Sequence, residues 1–143
     1  MKYNLKINNK FIVQDLKEMG IKPNKTFKDM NIPDIKNNLI IHYIRGFFDG
    51  DGSIYKSKRK SKNGFNSGIK FSNTSLPILN YIENLFDFAN FRYEVMNTSV
   101  ENCLMYYMSC QSKGSIKQIM PILYDNATYF LPRKYEKFIE VIN

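Results

Sequence analysis

The 143-residue chain has no tryptophan, one histidine, two cysteines, and only 13 acidic side chains against 21 Lys and Arg. Each shortage removes a class of chemistry. A lone His42 excludes histidine pairs within one subunit and argues against a histidine-ligated metal nuclease. Cys103 and Cys110 match no Cys-x-x-Cys metal spacing, and two thiols define no disulfide framework, so both are read as reduced packing residues. No apolar run approaches the roughly 20 residues of a membrane-spanning helix. The start, Met1-Lys2-Tyr3-Asn4, has no apolar core of a signal peptide. The expectation is a soluble, intracellular protein without a membrane partner, whether in an organelle or in a bacterial or phage-bearing cytoplasm. A phosphate-loop motif and a His-Glu-x-x-His motif are also missing.

What remains is a basic chain with the means to fold. An apolar content of 43% of the chain, with aromatic residues at 15% of the chain, suffices for one domain with a core. The formal net charge of +8 favours a polyanionic partner, nucleic acid first. Residues 1–36 differ from the rest. Phe11, Ile12, Leu16 and Met19 recur at helical spacing with Gly20 as a C-terminal cap, and a Pro- and Lys-containing connector follows at 21–33. Beyond it, residues 37–143 read as the main domain. The spacing predicts a helix over 39–48, strands over 53–60 and 68–73 around a turn at Asn63-Gly64, and a helix after Ser75 and Pro77. A second hairpin is expected over 91–97 and 104–110, then a helix from Ser115 interrupted or kinked at Pro121, and a last helix over 134–142. This order suits an α+β fold, a four-stranded antiparallel sheet with its helices on one face and the other face free.

The densest information lies in Ile44-Arg45-Gly46-Phe47-Phe48-Asp49-Gly50-Asp51-Gly52-Ser53-Ile54. Gly46 and Gly50 stand four apart, on one helix face with no side chain to hold a neighbour away, so a second helix could approach backbone to backbone with Phe47 beside the contact. Asp51 would then be delivered at the helix end, next to its counterpart from a second copy. Two carboxylates meeting there make a divalent metal site for phosphodiester chemistry. A calcium loop is excluded although Asp49, Asp51 and Ser53 mimic its first ligands, because its sixth position holds Ile54 instead of Gly and its twelfth holds Lys60 instead of Glu. The plain alternative for Asp51 is a turn aspartate binding backbone amides.

These residues resemble the signature of the LAGLIDADG homing endonucleases over positions 44–52. Gly46, Asp49, Asp51 and Gly52 match, and Gly50 takes a small-residue position. Arg45 departs from the signature, which is read as a side of the helix facing solvent or DNA. The resemblance covers residues 39–142 and implies an αββαββα fold and a site-specific double-strand DNA endonuclease using Mg²⁺. It implies Asp51 as ligand, with the carbonyl of Gly50 completing the coordination, and Asp49 in a structural role orienting the turn. It places Lys134, in Phe130-Leu131-Pro132-Arg133-Lys134, near the scissile phosphate, and Ser75 among the residues that order active-site water. A surface lysine and a helix N-cap are the ordinary readings of those two. Residues 11–26, with Lys25, are similar to the closing part of a preceding repeat in two-motif members.

For double-stranded DNA contacts the candidates are Lys56, Lys58, Arg59, Lys60, Lys62, Lys70 and Arg92. Strand residues such as Tyr55, Ser57, Ser72, Glu94, Tyr107 and Ser109 are candidates for reading base edges, with the face of each left open. One signature per chain points to a homodimer, or to pairing with a second repeat. Two other functions stay open: a non-catalytic nucleic-acid binder such as an intron-RNA splicing helper, and a purely structural domain with no salt-dependent affinity for nucleic acid.

Overall fold

The first element buries nothing. Asn9 accepts hydrogen bonds from the backbone N–H groups of Phe11 (2.9 Å) and Ile12 (3.3 Å) and so starts helix α1 (Lys10–Glu18). Gly20, at φ +84°, closes it in the left-handed conformation that other residues avoid. No residue of α1 is buried, and Phe11 is 68% exposed. The computed structural model describes residues 6–21, 32–58, 64–99 and 103–143, so most of the expected connector, Lys25 included, lies outside the described residues.

A 3-10 turn (Asn37–Leu39) leads into α2 (Ile40–Asp51), whose last residue adjoins strand β1 (Ser53–Lys58) across Gly52 alone. β2 (Phe65–Asn73), α3 (Leu76–Leu85), β3 (Arg92–Asn97), β4 (Leu104–Cys110), α4 (Lys113–Tyr124) and α5 (Pro132–Ile142) follow. The fold is α+β, its sheet four antiparallel strands in the order β1-β2-β4-β3. Ser112 accepts from the Ser115 N–H (3.2 Å) and starts α4 earlier than the sequence indicated. That helix runs unbroken through Pro121, since a ring there removes one amide donor and the rest of the ladder holds.

Register explains the two faces of the sheet. Ile69 stands opposite both Ile54 and Cys110, and Phe71 opposite Met108, so one parity of the strands forms a buried apolar layer. The helices cover it with Ile78, Leu79 and Ile82 of α3, Ile116, Ile119 and Leu123 of α4, and Phe138 and Val141 of α5. The other parity carries Ser53, Tyr55, Lys70, Ser72, Arg92, Tyr107 and Ser109. Gly68 belongs to this second face for a steric reason. A Cβ there would come within 2.6 Å of the Tyr55 hydroxyl, which lies across it and accepts from Gln111 (3.1 Å).

Helix α2 is the hub. Ile44 and Phe48, four apart, face inward, and the Phe48 ring packs against Phe71 (5.0 Å between centroids) and Phe138 (5.6 Å). Two residues on, about 200° around the helix, Gly46 and Gly50 are exposed and a Cβ on either would meet nothing within 4 Å. Among the described residues no helix is long and apolar enough to cross a membrane. Phe48→Ala, which empties the point where helix, sheet and α5 meet, should lower the unfolding free energy by about 3–5 kcal/mol in urea titration.

Candidate active site

The tip of α2 is built from both ends of the domain. The Gly52 N–H donates to the Phe48 carbonyl (2.9 Å), and the chain turns into β1 so tightly that a Cβ on Gly52 would lie 2.3 Å from the Phe48 ring. A helix end leaves carbonyls without amide partners and carries partial negative charge. Here Lys134, in the first turn of α5, meets that charge, although the Phe48 carbonyl already has the Gly52 N–H. Its ammonium donates to the carbonyls of Phe48 and Gly52 and lies 5.0 Å from the centre of the Phe48 ring. Lys134 is 3% exposed, and burial pulls its pKa below the ordinary lysine value. Repulsion from Arg133 acts in the same direction, while Asp49 and Asp51 oppose it.

A third side of α2 holds the connection between α4 and α5. Asp49 accepts from the Tyr124 hydroxyl (2.8 Å) through one oxygen and from the Leu131 N–H (2.9 Å) through the other. Burial, and then the bond to Asp49, push the Tyr124 phenol well above its usual pKa. One turn back, Arg45 donates to the carbonyls of Leu123 (3.1 Å) and Tyr129 (3.1 Å) and meets Nδ1 of His42 at 2.7 Å. Arg45 is therefore buried, at 7% exposure, and the expectation that it faces solvent or DNA is corrected. A guanidinium can be buried here because its donors find carbonyl acceptors at the end of α4 and in the following loop.

Asp51 differs from its neighbour. It is exposed, and no hydrogen bond or ion pair engages its carboxylate among the described residues. Its main-chain carbonyl accepts from the hydroxyl of Ser72 (3.1 Å), which reaches the tip from the open face of β2. The sequence reading placed Ser72 only among base-edge candidates. The pairing of Ser53 with Lys70 supplies the missing signal, because β2 runs past the start of β1 and brings Ser72 level with the helix end. Ser75 is buried at the entry to α3, where it makes no side-chain cap bond and its N–H donates to Asn73 (2.7 Å). Gly46 and Gly50 form the open face described above, flanked by the half-buried Phe47.

Of the basic candidates, Lys70 and Arg92 share one cross-strand row of the open face with Ser109 between them. Lys70 lies 4.8 Å from the Tyr107 ring centre and 3.5 Å from Glu94. Lys56 and Lys58 have the opposite parity. The Lys56 ammonium donates to the carbonyl of Glu140 in α5 and lies 5.5 Å from the Phe65 ring centre, so both lysines are removed from the open-face set. Arg59, Lys60 and Lys62 lie outside the described residues. Among the described residues no three His, Cys, Asp or Glu side chains group as a metal cage.

The family model for LAGLIDADG endonucleases matches residues 44–142. The chain belongs to that family. Among solved structures this LAGLIDADG chain is similar to the archaeal intron-encoded homing endonuclease I-Vdi141I complexed with DNA, at 15% identity and TM-score 0.58 over 76% of this chain and 69% of that one. It is similar to the LAGLIDADG homing endonuclease I-GzeII in complex with its DNA target, at 20% identity and TM-score 0.53, covering 72% of this chain but 35% of that one. A third likeness is to the group I intron-encoded homing endonuclease I-CeuI complexed with DNA, at 15% identity and TM-score 0.52 over 92% of this chain and 61% of that one. These likenesses are of fold, and the chain spans less than two thirds of the last two relatives. No curated protein sequence matches it.

Two stability measurements probe this LAGLIDADG helix. Asp49→Ala should cost about 1–3 kcal/mol by stranding the Leu131 N–H. Asp49→Asn should lose less, because an amide can accept from Leu131 and donate to Tyr124. Gly46→Ala should stabilise the lone subunit by about 1 kcal/mol in chemical denaturation at low concentration. The same substitution should weaken self-association in sedimentation.

Proposed function

We propose that this chain is one unit of a site-specific DNA endonuclease that cuts both strands when two units meet across Gly46 and Gly50 of α2. One observation carries the reading: the Asp51 carboxylate, exposed and uncommitted, ends a helix whose adjacent face is an open pair of glycines. The second unit is another copy of this chain or a second repeat, and residues 1–36 are assigned as a segment like the tail of a preceding repeat, ahead of the endonuclease domain at 37–143.

Asp51 and the Gly50 carbonyl are hard oxygen donors and fit a divalent cation, for which we name Mg²⁺. When bound, such a cation lowers the pKa of water and neutralises charge growing on the attacked phosphodiester. The chain's own part is placement. Lys134 fixes the carbonyls at the end of α2, and its buried charge favours negative charge accumulating at the tip. Ser72 holds the main chain of Asp51 from the sheet side. We assign Ser72, in place of Ser75, as the hydroxyl next to the chemistry. Double-stranded DNA lies along the open face, as β-ribbons enter a major groove, with Lys70 and Arg92 toward its phosphates and the hydroxyls between them toward base edges.

Incubating the protein with a plasmid library of candidate sites in Mg²⁺ tests the proposal. The wild type should linearise its target. Asp51→Asn should bind the same DNA and cut it about a thousandfold more slowly, a loss of roughly 4 kcal/mol of transition-state stabilisation. Tight binding to intron RNA with no cutting in any divalent cation would select the splicing-helper function instead.

A further inference from the structure

A cleft of about 270 Å³ opens beside the tip, between the start of β1 and the first turns of α5. Gly52, Ser53 and Ile54 line one wall, and Arg133, Lys134 and Lys137 the other. Three cations thus share one small concavity whose chain neighbour is Asp51. Their charges are unevenly compensated: Asp49 and Asp51 act on Lys134 and Glu140 pairs with Lys137, whereas Arg133 has no such partner among the described residues. Lys134 is spent on the carbonyls of Phe48 and Gly52, which carry no formal charge. Lys137 pairs with Glu140 at 2.5 Å, at an exposed site where such a pair is worth little. Arg133 is exposed and has no hydrogen bond or ion pair among the described residues. Holding the end of α2 accounts for Lys134, but no contact among the described residues accounts for Arg133. Arg133 and Lys134 repel each other along one wall of the cleft, and the fold bears that repulsion.

We propose that this cleft is a phosphate subsite, in which Arg133 and Lys137 grip a backbone phosphate of the strand that reaches Asp51, next to the one attacked. The inference rests on the endonuclease reading and deepens it. A guanidinium fork and an ammonium at one rim suit the tetrahedral oxygens of a phosphodiester. The main chain of Gly52 and Ser53 limits how deep the strand can enter, so the grip sets the position of the neighbouring phosphodiester relative to Asp51. Arg133 and Lys137 act here as positioning residues, separate from Lys70 and Arg92 on the open face.

The test uses the full chain, a labelled random-sequence duplex and a salt titration, with melting curves to establish that each variant is folded. Each neutralised phosphate contributes about 0.9 to the slope of log affinity against log salt, so with both side chains on one phosphate Arg133→Gln with Lys137→Gln should flatten the slope by about 0.9, and Arg133→Gln alone by a part of that. Lys117→Gln, on the exposed side of α4, should leave it unchanged. In a parallel arm, the amide resonances of residues 52–54 and 133–137 are followed as inorganic phosphate is added. Flattened slopes in the Arg133 variants support the subsite. Slopes equal to the wild type overturn it while the DNA reading stands, and amide shifts with unchanged slopes overturn it in favour of a free-anion site. A wild type with no salt-dependent binding to the duplex overturns both.

Discussion

The structure depends on how the end of one helix is held. Helix α2 stops at a residue whose carboxylate is free, where Lys134 bonds the carbonyls of Phe48 and Gly52 on either side of it and the turn into β1 admits only glycine at position 52. Neither contact alone would fix the tip. The lysine neutralises the partial charge that a buried helix end presents, and the glycine lets the strand leave against the Phe48 ring. With Ser72 bonded from the sheet side, the main chain around Asp51 is tied to α5 and to β2, and only the acidic side chain is left unconstrained.

The three sides of α2 divide the labour of the domain. One packs into the core through Ile44 and Phe48, one clasps the link between α4 and α5 through Arg45 and Asp49, and one is bare glycine. The clasp matters for the tip, because α5 begins immediately after the clasped segment and brings Lys134 with it. Residues on the second side therefore govern the first turn of α5 and, through it, the helix end. A buried arginine serves well in this place, since its fork bonds two carbonyls from different parts of the chain while its stem fills apolar space.

Much of this was legible in the sequence. Ile54 alternating with polar and charged residues marks the first strand, the Asn63-Gly64 turn marks its hairpin, and the four-residue spacing of Gly46 and Gly50 marks a helix face of unusual smoothness. The element order followed from these local signals and from the need of each hairpin to bury one side. What escaped was set by partners distant in the chain. Arg45 reads as outward-facing because its acceptors, the carbonyls of Leu123 at the end of α4 and of Tyr129 in the following loop, lie 78 and 84 residues away where no local pattern places them. Ser72 was missed as a neighbour of Asp51 because that contact depends on strand register. Lys56 and Lys58 are DNA-contact candidates by charge alone, whereas the pleat alternates faces residue by residue and carries them to the side opposite Lys70 and Arg92.

The strict alternation of the strands has one more consequence. Met108 and Phe71 hold the sheet to its helices, while Ser109, Arg92 and Lys70 occupy the opposite parity and contribute nothing to that layer. Outward letters can be exchanged over evolutionary time without disturbing the inward ones. What this face grips and what keeps the domain folded are thus written in separate sets of side chains, so either set can be altered in the laboratory with the other left in place.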